Sequence, residues 1–174
     1  MTQTLDLKSL VMDVPDFPKK GILFKDITPL LGDKAGFAAV VERLAAPYKG
    51  KGISMVAGIE SRGFLLAAPI AFHLNAGLVP IRKKGKLPRQ TRQASYALEY
   101  GQDSIEAHVD AFEPGAKVLL IDDVLATGGT AKAACELIEG VGACVAGIGF
   151  LIELGFLGGR AKLPRHEIHS LINY

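Results

Sequence analysis

The chain has 174 residues, 49% of them apolar and 22% charged, with a net charge of +2. That length suits one domain with a full hydrophobic core, and the composition excludes an intrinsically disordered chain. The near-neutral balance argues against bulk nucleic-acid binding. Even so, Arg82, Lys83, Lys84, Lys86, Arg89 and Arg92 fall within one short segment that holds no acid.

Taken in chain order, the first 30 or so residues predict an irregular arm with one short helix, because Pro15, Pro18, Gly21 and Pro29 interrupt every element. Its opening, MTQTLDLKSLVMD, lacks the basic-then-apolar layout of a secretory signal. Residues 35–48 carry helical spacing through Phe37, Val40, Val41 and Leu44. A short apolar strand at 53–59, a mostly buried helix at 63–74 and a second strand at 77–83 follow. The segments at 95–100 and from Ser104 onward alternate as an antiparallel extension would.

The strongest predicted strand is KVLLID, 117–122, followed by a helix at 131–141 whose stripe is Ala131, Ala134, Cys135, Ile138 and Val141. Strands are expected again at 143–154 and 167–172. Strands alternating with helices predict an α/β single domain with a central, mostly parallel sheet flanked by helices. The strand C-termini would then share one edge, where such sheets bind ligands. The apolar run 141–152 is too short to span a bilayer. Cys135 and Cys144 have no metal-ligand spacing and read as small buried hydrophobes in a reducing cytoplasm.

Residues 118–130, VLLIDDVLATGGT, carry the chemistry. Two like charges, Asp122 and Asp123, end a buried strand, and Ala126, Thr127, Gly128, Gly129 and Thr130 make a turn into a helix. Paired glycines let backbone N–H groups converge, and the helix start adds unpaired donors. Such a turn suits a phosphate dianion. Ionised carboxylates only accept hydrogen bonds, so a vicinal diol suits the aspartates. A ribose bearing a 5′-phosphate offers both groups. The spacing Gly58–Gly63 is not a Walker A loop, because Phe64 stands where lysine is required.

The stretch 118–130 closely resembles the phosphoribosyl-pyrophosphate signature of the type I phosphoribosyltransferases. Further segments resemble the adenine-using branch of that family: DFPKKGILFKDITPLL at 16–31, GIESRGFLLAAPIA at 58–71, IRKKGKLP at 81–88, ASYALEYG at 94–101 and LIELGFLGGRAKL at 151–163. The resemblance implies transfer of a phosphoribosyl group to adenine, giving AMP and pyrophosphate. It implies a hood arm at about 1–34 and a flexible catalytic loop at about 82–94, expected to be disordered without ligand because its charges repel. It assigns pyrophosphate to Ser61, Arg62, Arg82, Lys83 and Lys86, with a cis peptide at Glu60–Ser61 and with Arg82 able to reach a neighbouring subunit's site. It assigns adenine to Phe24, Lys25 and Leu154, where relatives usually carry arginine in place of Lys25, and proton transfer at purine N7 to Glu99. Tyr96 and Tyr100 would pack the closed loop. Mg²⁺ is implied as cofactor, held mainly by substrate and water rather than by protein ligands. A homodimer is implied as well, with no nucleic-acid or membrane partner. The alternatives are a phosphoribosyltransferase for xanthine or hypoxanthine, and a regulator that only senses phosphoribosyl pyrophosphate. No helix-turn-helix segment supports the latter.

Overall fold

A computed structural model describes residues 5–97 and 102–174. The N-terminal arm is more regular than its prolines suggest. A 3₁₀ turn at Leu7–Leu10 leads into a hairpin of β1 (Met12–Pro15) and β2 (Leu23–Asp26), paired antiparallel with Asp13 opposite Lys25 and Val14 opposite Phe24. The prolines are accommodated because Pro15 ends an edge strand and Pro18 follows a cis bond in the connecting turn. Helix α1 (Thr28–Gly32) then meets α2 (Lys34–Ala45), whose first turn is capped by the Asp33 carboxylate accepting from the Gly36 N–H at 2.6 Å. The helix expected to reach residue 48 stops at Ala45 and tightens into a 3₁₀ turn over Ala46–Tyr48, since Pro47 has no N–H to give.

The remaining elements are β3 (Met55–Ile59), α3 (Arg62–Leu74), β4 (Gly77–Lys83), β5 (Thr91–Ala97), β6 (Gln102–His108), β7 (Lys117–Leu125), α4 (Gly129–Glu139), β8 (Cys144–Glu153) and β9 (Ile168–Asn173). They form a seven-stranded sheet in the order β5-β6-β4-β3-β7-β8-β9. The five strands from β4 to β9 run parallel, and β6 and β5 add to the β4 edge as an antiparallel pair. The α/β architecture, the antiparallel extension and the small N-terminal unit agree with the sequence reading. Two cores flank the sheet. One packs α4 with Val118, Leu120, Ile148 and Phe150, and the other packs α2 and α3 with Leu119, Ile121 and Leu151. Alternation along β7 sends successive apolar residues to opposite cores, which explains its unbroken apolar run.

Two boundaries and one burial depart from expectation. Strand β7 continues through both aspartates to Leu125, so the acid pair lies within the strand rather than just past it. Residues 82–94, expected as a single loop, are strand at both ends, with only 84–90 as the connecting turn. Cys135 is buried as expected, but Cys144 is exposed at the start of β8.

Candidate active site

The C-terminal ends of β3, β4, β7 and β8 open on one edge, and the chain delivers its polar residues there. The site is built around Asp122 and Asp123. Alternation leaves Asp122 partly open to a small cavity of about 70 Å³ and buries Asp123. That cavity is lined by Ala126, Thr127, Gly128, Gly129 and Thr130, the whole of the expected phosphate turn. Gly128 has φ +76°, a conformation that glycine enters without cost, and a Cβ there would strike the Gly159 backbone. Gly159 in turn leaves no room for a Cβ beside Leu125 and the Ala126 carbonyl. The turn is therefore held in shape by the 155–162 segment, a support that the repeated glycine in LGG signals in the sequence.

Two adjacent carboxylates in this place repel. Burial, followed by the charge of Asp123, pushes the Asp122 carboxyl well above its ordinary range. Burial raises Asp123 as well, but the Arg62 guanidinium, 2.7 Å from its Oδ2, opposes this and makes it the more readily ionised of the two. That contact lacks hydrogen-bond alignment, so the buried Oδ2 has no hydrogen-bond donor. Arg62 also donates to the Lys25 carbonyl at 3.3 Å and lies 4.6 Å from the centre of the Phe24 ring. One side chain thus links the acid pair to the hood. The peptide Glu60–Ser61 that leads into it is cis, as the resemblance implied, and Ser61 is exposed at the mouth of the site.

The basic segment receives its counter-charges from elsewhere in the fold. Glu60 accepts from the Arg82 guanidinium at 3.2 Å, from the Lys83 N–H at 3.0 Å and from the Lys86 ammonium. Burial favours its neutral form, yet these donors hold its carboxyl below the usual range. Lys83 faces Asp103 at 3.4 Å, and Arg89 pairs with Asp110. Glu106, only 2% exposed, lies opposite Arg82 in the β4–β6 register but forms no ion pair among the described residues. It accepts instead from the Lys86 and Leu87 N–H groups and the Thr91 hydroxyl, each at 3.1 Å, and these outweigh its burial to depress its pKa. The repulsion expected to disorder this segment is therefore answered by acids on β6 and in the turns after β3 and β6, none of them within the segment itself.

Tyr96 joins the two halves of the site. Its hydroxyl donates to Asp103 at 3.1 Å, and Thr130 at the start of α4 interacts with the same phenol, whose pKa burial raises. Glu99 and Tyr100 lie outside the described residues.

The adenine residues divide. Phe24 turns toward Arg62, with Phe17 edge-on at 5.0 Å, and Leu154 follows β8, its N–H donating to the Leu125 carbonyl. Lys25 does not join them. Adjacent residues on a strand face opposite ways, so with Phe24 toward the site the Lys25 ammonium meets Asp13 at 2.6 Å and lies 3.8 Å from the Tyr174 ring centre. The Lys25 side chain is therefore engaged by Asp13 and Tyr174, while its backbone carbonyl accepts from Arg62. Among the described residues, no group of three or more His, Cys, Asp or Glu could hold a metal ion, and no helix is long and apolar enough to cross a membrane. A larger cavity, of about 610 Å³, lies at the opposite sheet edge between the 49–53 turn and the end of α3, away from all of these groups.

The Phosphoribosyl transferase domain matches residues 31–169. The adenine phosphoribosyltransferase of Acidothermus cellulolyticus is 59% identical over 93% of this chain and 92% of its own length. The chain belongs to the adenine phosphoribosyltransferase family. Solved members agree in shape: the enzyme from Rhodothermus marinus has a TM-score of 0.94 at 53% identity, covering 97% of this chain and 96% of its own. The Saccharomyces cerevisiae enzyme, solved with an iminoaltritol bisphosphate and adenine, has a TM-score of 0.89 at 38% identity, covering 94% and 95%. In family terms, the acid pair and glycine turn form the signature, and the small hairpin β1–β2 stands where the hood arm was expected.

Proposed function

We infer that the chain joins adenine N9 to C1 of 5-phosphoribosyl 1-pyrophosphate, giving AMP and pyrophosphate in purine salvage. The observation that carries this reading is the linkage through Arg62. One cation touches the acid pair, the hood backbone and the Phe24 ring, so sugar, leaving group and base have adjoining places. The 5′-phosphate fits the 126–130 turn, with Thr127 and Thr130 as hydroxyl donors and the start of α4 adding favourable polarity. The ribose hydroxyls suit Asp122 and the unsatisfied Oδ2 of Asp123.

Bond breaking at C1 builds positive charge on the ribose and negative charge on pyrophosphate. Ser61, Arg62, Arg82, Lys83 and Lys86 are the groups that answer it. Arg62, Arg82, Lys83 and Lys86 are each matched by Asp123, Glu60 or Asp103. Pyrophosphate binding would exchange those carboxylates for phosphoryl oxygens. Phe24 and Leu154 would cover the two purine faces. Glu99 would protonate N7 as the N9 proton leaves, keeping the base neutral. Mg²⁺ would be held mainly by substrate oxygens and its own waters, as its reluctance to dehydrate favours. Bound with the substrate, such an ion would supply charge neutralisation for the leaving pyrophosphate.

The test is AMP formation from phosphoribosyl pyrophosphate with adenine, hypoxanthine, guanine or xanthine, with and without a chelator. Adenine is expected to be used far better than the others, and chelation to stop turnover. Equal use of all four bases would refute the assignment.

A homodimer accompanies this reading. Phe72 on α3 is 91% exposed, with Leu65 two turns away and Leu78 on the adjoining β4 also exposed. A second copy would cover this apolar face. Light scattering is expected to give twice the chain mass, and a monomer mass would overturn the dimer. The two free cysteines suit a reducing, cytoplasmic setting.

A further inference from the structure

Tyr174 stands where three separate parts of the fold meet. Its N–H donates to the Glu153 carbonyl and its own carbonyl accepts from the Gly155 N–H, both at 2.9 Å, which brackets Leu154 between them. Its ring lies 3.8 Å from the Lys25 ammonium of the hood strand β2 and 4.2 Å from the Lys8 ammonium. Lys8 also donates to the Asn173 carbonyl at 3.0 Å. Lys25 is only 8% exposed, and its charge is balanced by Asp13, directly opposite on β1. A desolvated ammonium over an aromatic face is held more strongly than an exposed one.

We propose that Tyr174 is a positioning residue for the purine, its ring tying the hood hairpin to the 153–155 turn and so setting the spacing between Phe24 and Leu154. Phe24 and Lys25 are neighbours on one strand. Fixing the Lys25 side chain on the outer face fixes the direction of Phe24 on the inner one. Leu154 on the opposite side is fixed by the backbone bonds of the same tyrosine. The two covers expected on the base thus share one anchor, and it acts through a ring face and main-chain groups. Burial, with Asp13 and Asp6 nearby, raises the phenol pKa, so the ring carries no charge of its own at neutral pH.

The inference rests on the adenine reading above, and the experiment separates the two. Steady-state kinetics would be measured for the wild type, Tyr174→Phe, Tyr174→Leu, Lys25→Met and the double variant Lys25→Met/Tyr174→Leu, varying adenine and phosphoribosyl pyrophosphate in turn. Tyr174→Leu is expected to raise KM for adenine roughly tenfold, leaving kcat and the KM for phosphoribosyl pyrophosphate unchanged. Tyr174→Phe keeps the ring face and should behave as wild type. The double variant should be no worse than Tyr174→Leu alone, because the pair acts as one unit. An active chain in which Tyr174→Leu leaves the adenine KM unchanged, or raises both KM values alike, overturns the anchor alone. So does a Tyr174→Phe variant as impaired as Tyr174→Leu. A wild-type chain that forms no AMP overturns the adenine reading along with it.

Discussion

Asp122→Asn is expected to weaken phosphoribosyl pyrophosphate binding while making the unliganded fold more stable. The carboxylate opens on the phosphate cavity, where it would accept from a ribose hydroxyl, and a charged hydrogen bond is worth ~1.5–3 kcal/mol. Its loss should raise the dissociation constant roughly 10- to 150-fold, read by calorimetry or by the shift in Tm with ligand. Unaltered affinity would remove Asp122 from the ribose site.

The stability change has the opposite sign and a defined pH dependence. Burial and then Asp123 raise the Asp122 pKa, so the folded chain holds that proton more tightly than the unfolded chain does. The contribution is fully present below the unfolded value of about 3.9 and is lost as pH rises through the higher folded value. Asn does not ionise, so the variant escapes that loss. Its Tm should match wild type at about pH 4 and exceed it at about pH 7, by roughly 2–4 °C per kcal/mol recovered. Glu60, Glu106 and Asp103 have lowered pKa values and lose stability as pH falls, but they do so equally in both chains. An equal Tm at neutral pH would show that the pair carries no repulsion.

Glu99→Leu should produce the largest loss of turnover. Proton transfer by a positioned carboxyl is worth ~10²–10⁴-fold in rate, and leucine keeps the bulk without the acid. The expected result is a fall in kcat of that order with affinity for phosphoribosyl pyrophosphate retained, since none of the groups assigned to the sugar or phosphates is altered. The flanking strands support the assignment. Tyr96 on β5 and Asp103 on β6 are bonded to each other, and Tyr96 reaches Thr130 at the phosphate turn. The paired strands β5 and β6, which precede and follow Glu99 in the chain, are thereby tied to the site. Near-normal turnover in this variant would exclude Glu99 from the chemistry.

Much of the site was legible before any fold was known, because its most informative features are local. The buried run 118–121, the acid pair and the glycine turn are contiguous, and each has a physical reason that needs no distant partner. The alternation of strands and helices likewise announced a parallel sheet. The N-terminal hairpin was less legible, since it needs a cross-strand partner and its prolines read as breaks until their places at an edge and a turn are known. The partners of the Lys25 side chain were not legible either, because a short strand among prolines gives no clear period and Tyr174 is distant in sequence.

Sequence by itself therefore determined the fold class, the glycine turn, the acid pair and the family, all features written in neighbouring residues. Tertiary structure alone decided which charges meet. Glu60, just past β3, and Asp103 and Glu106 on β6 come to neutralise or anchor the 82–92 segment, and Asp13 with Tyr174 engages the Lys25 side chain. Charge pairing acts through space over a few ångströms whatever the separation along the chain. A cluster that looks repulsive in sequence can thus be balanced once the sheet has brought its strands together.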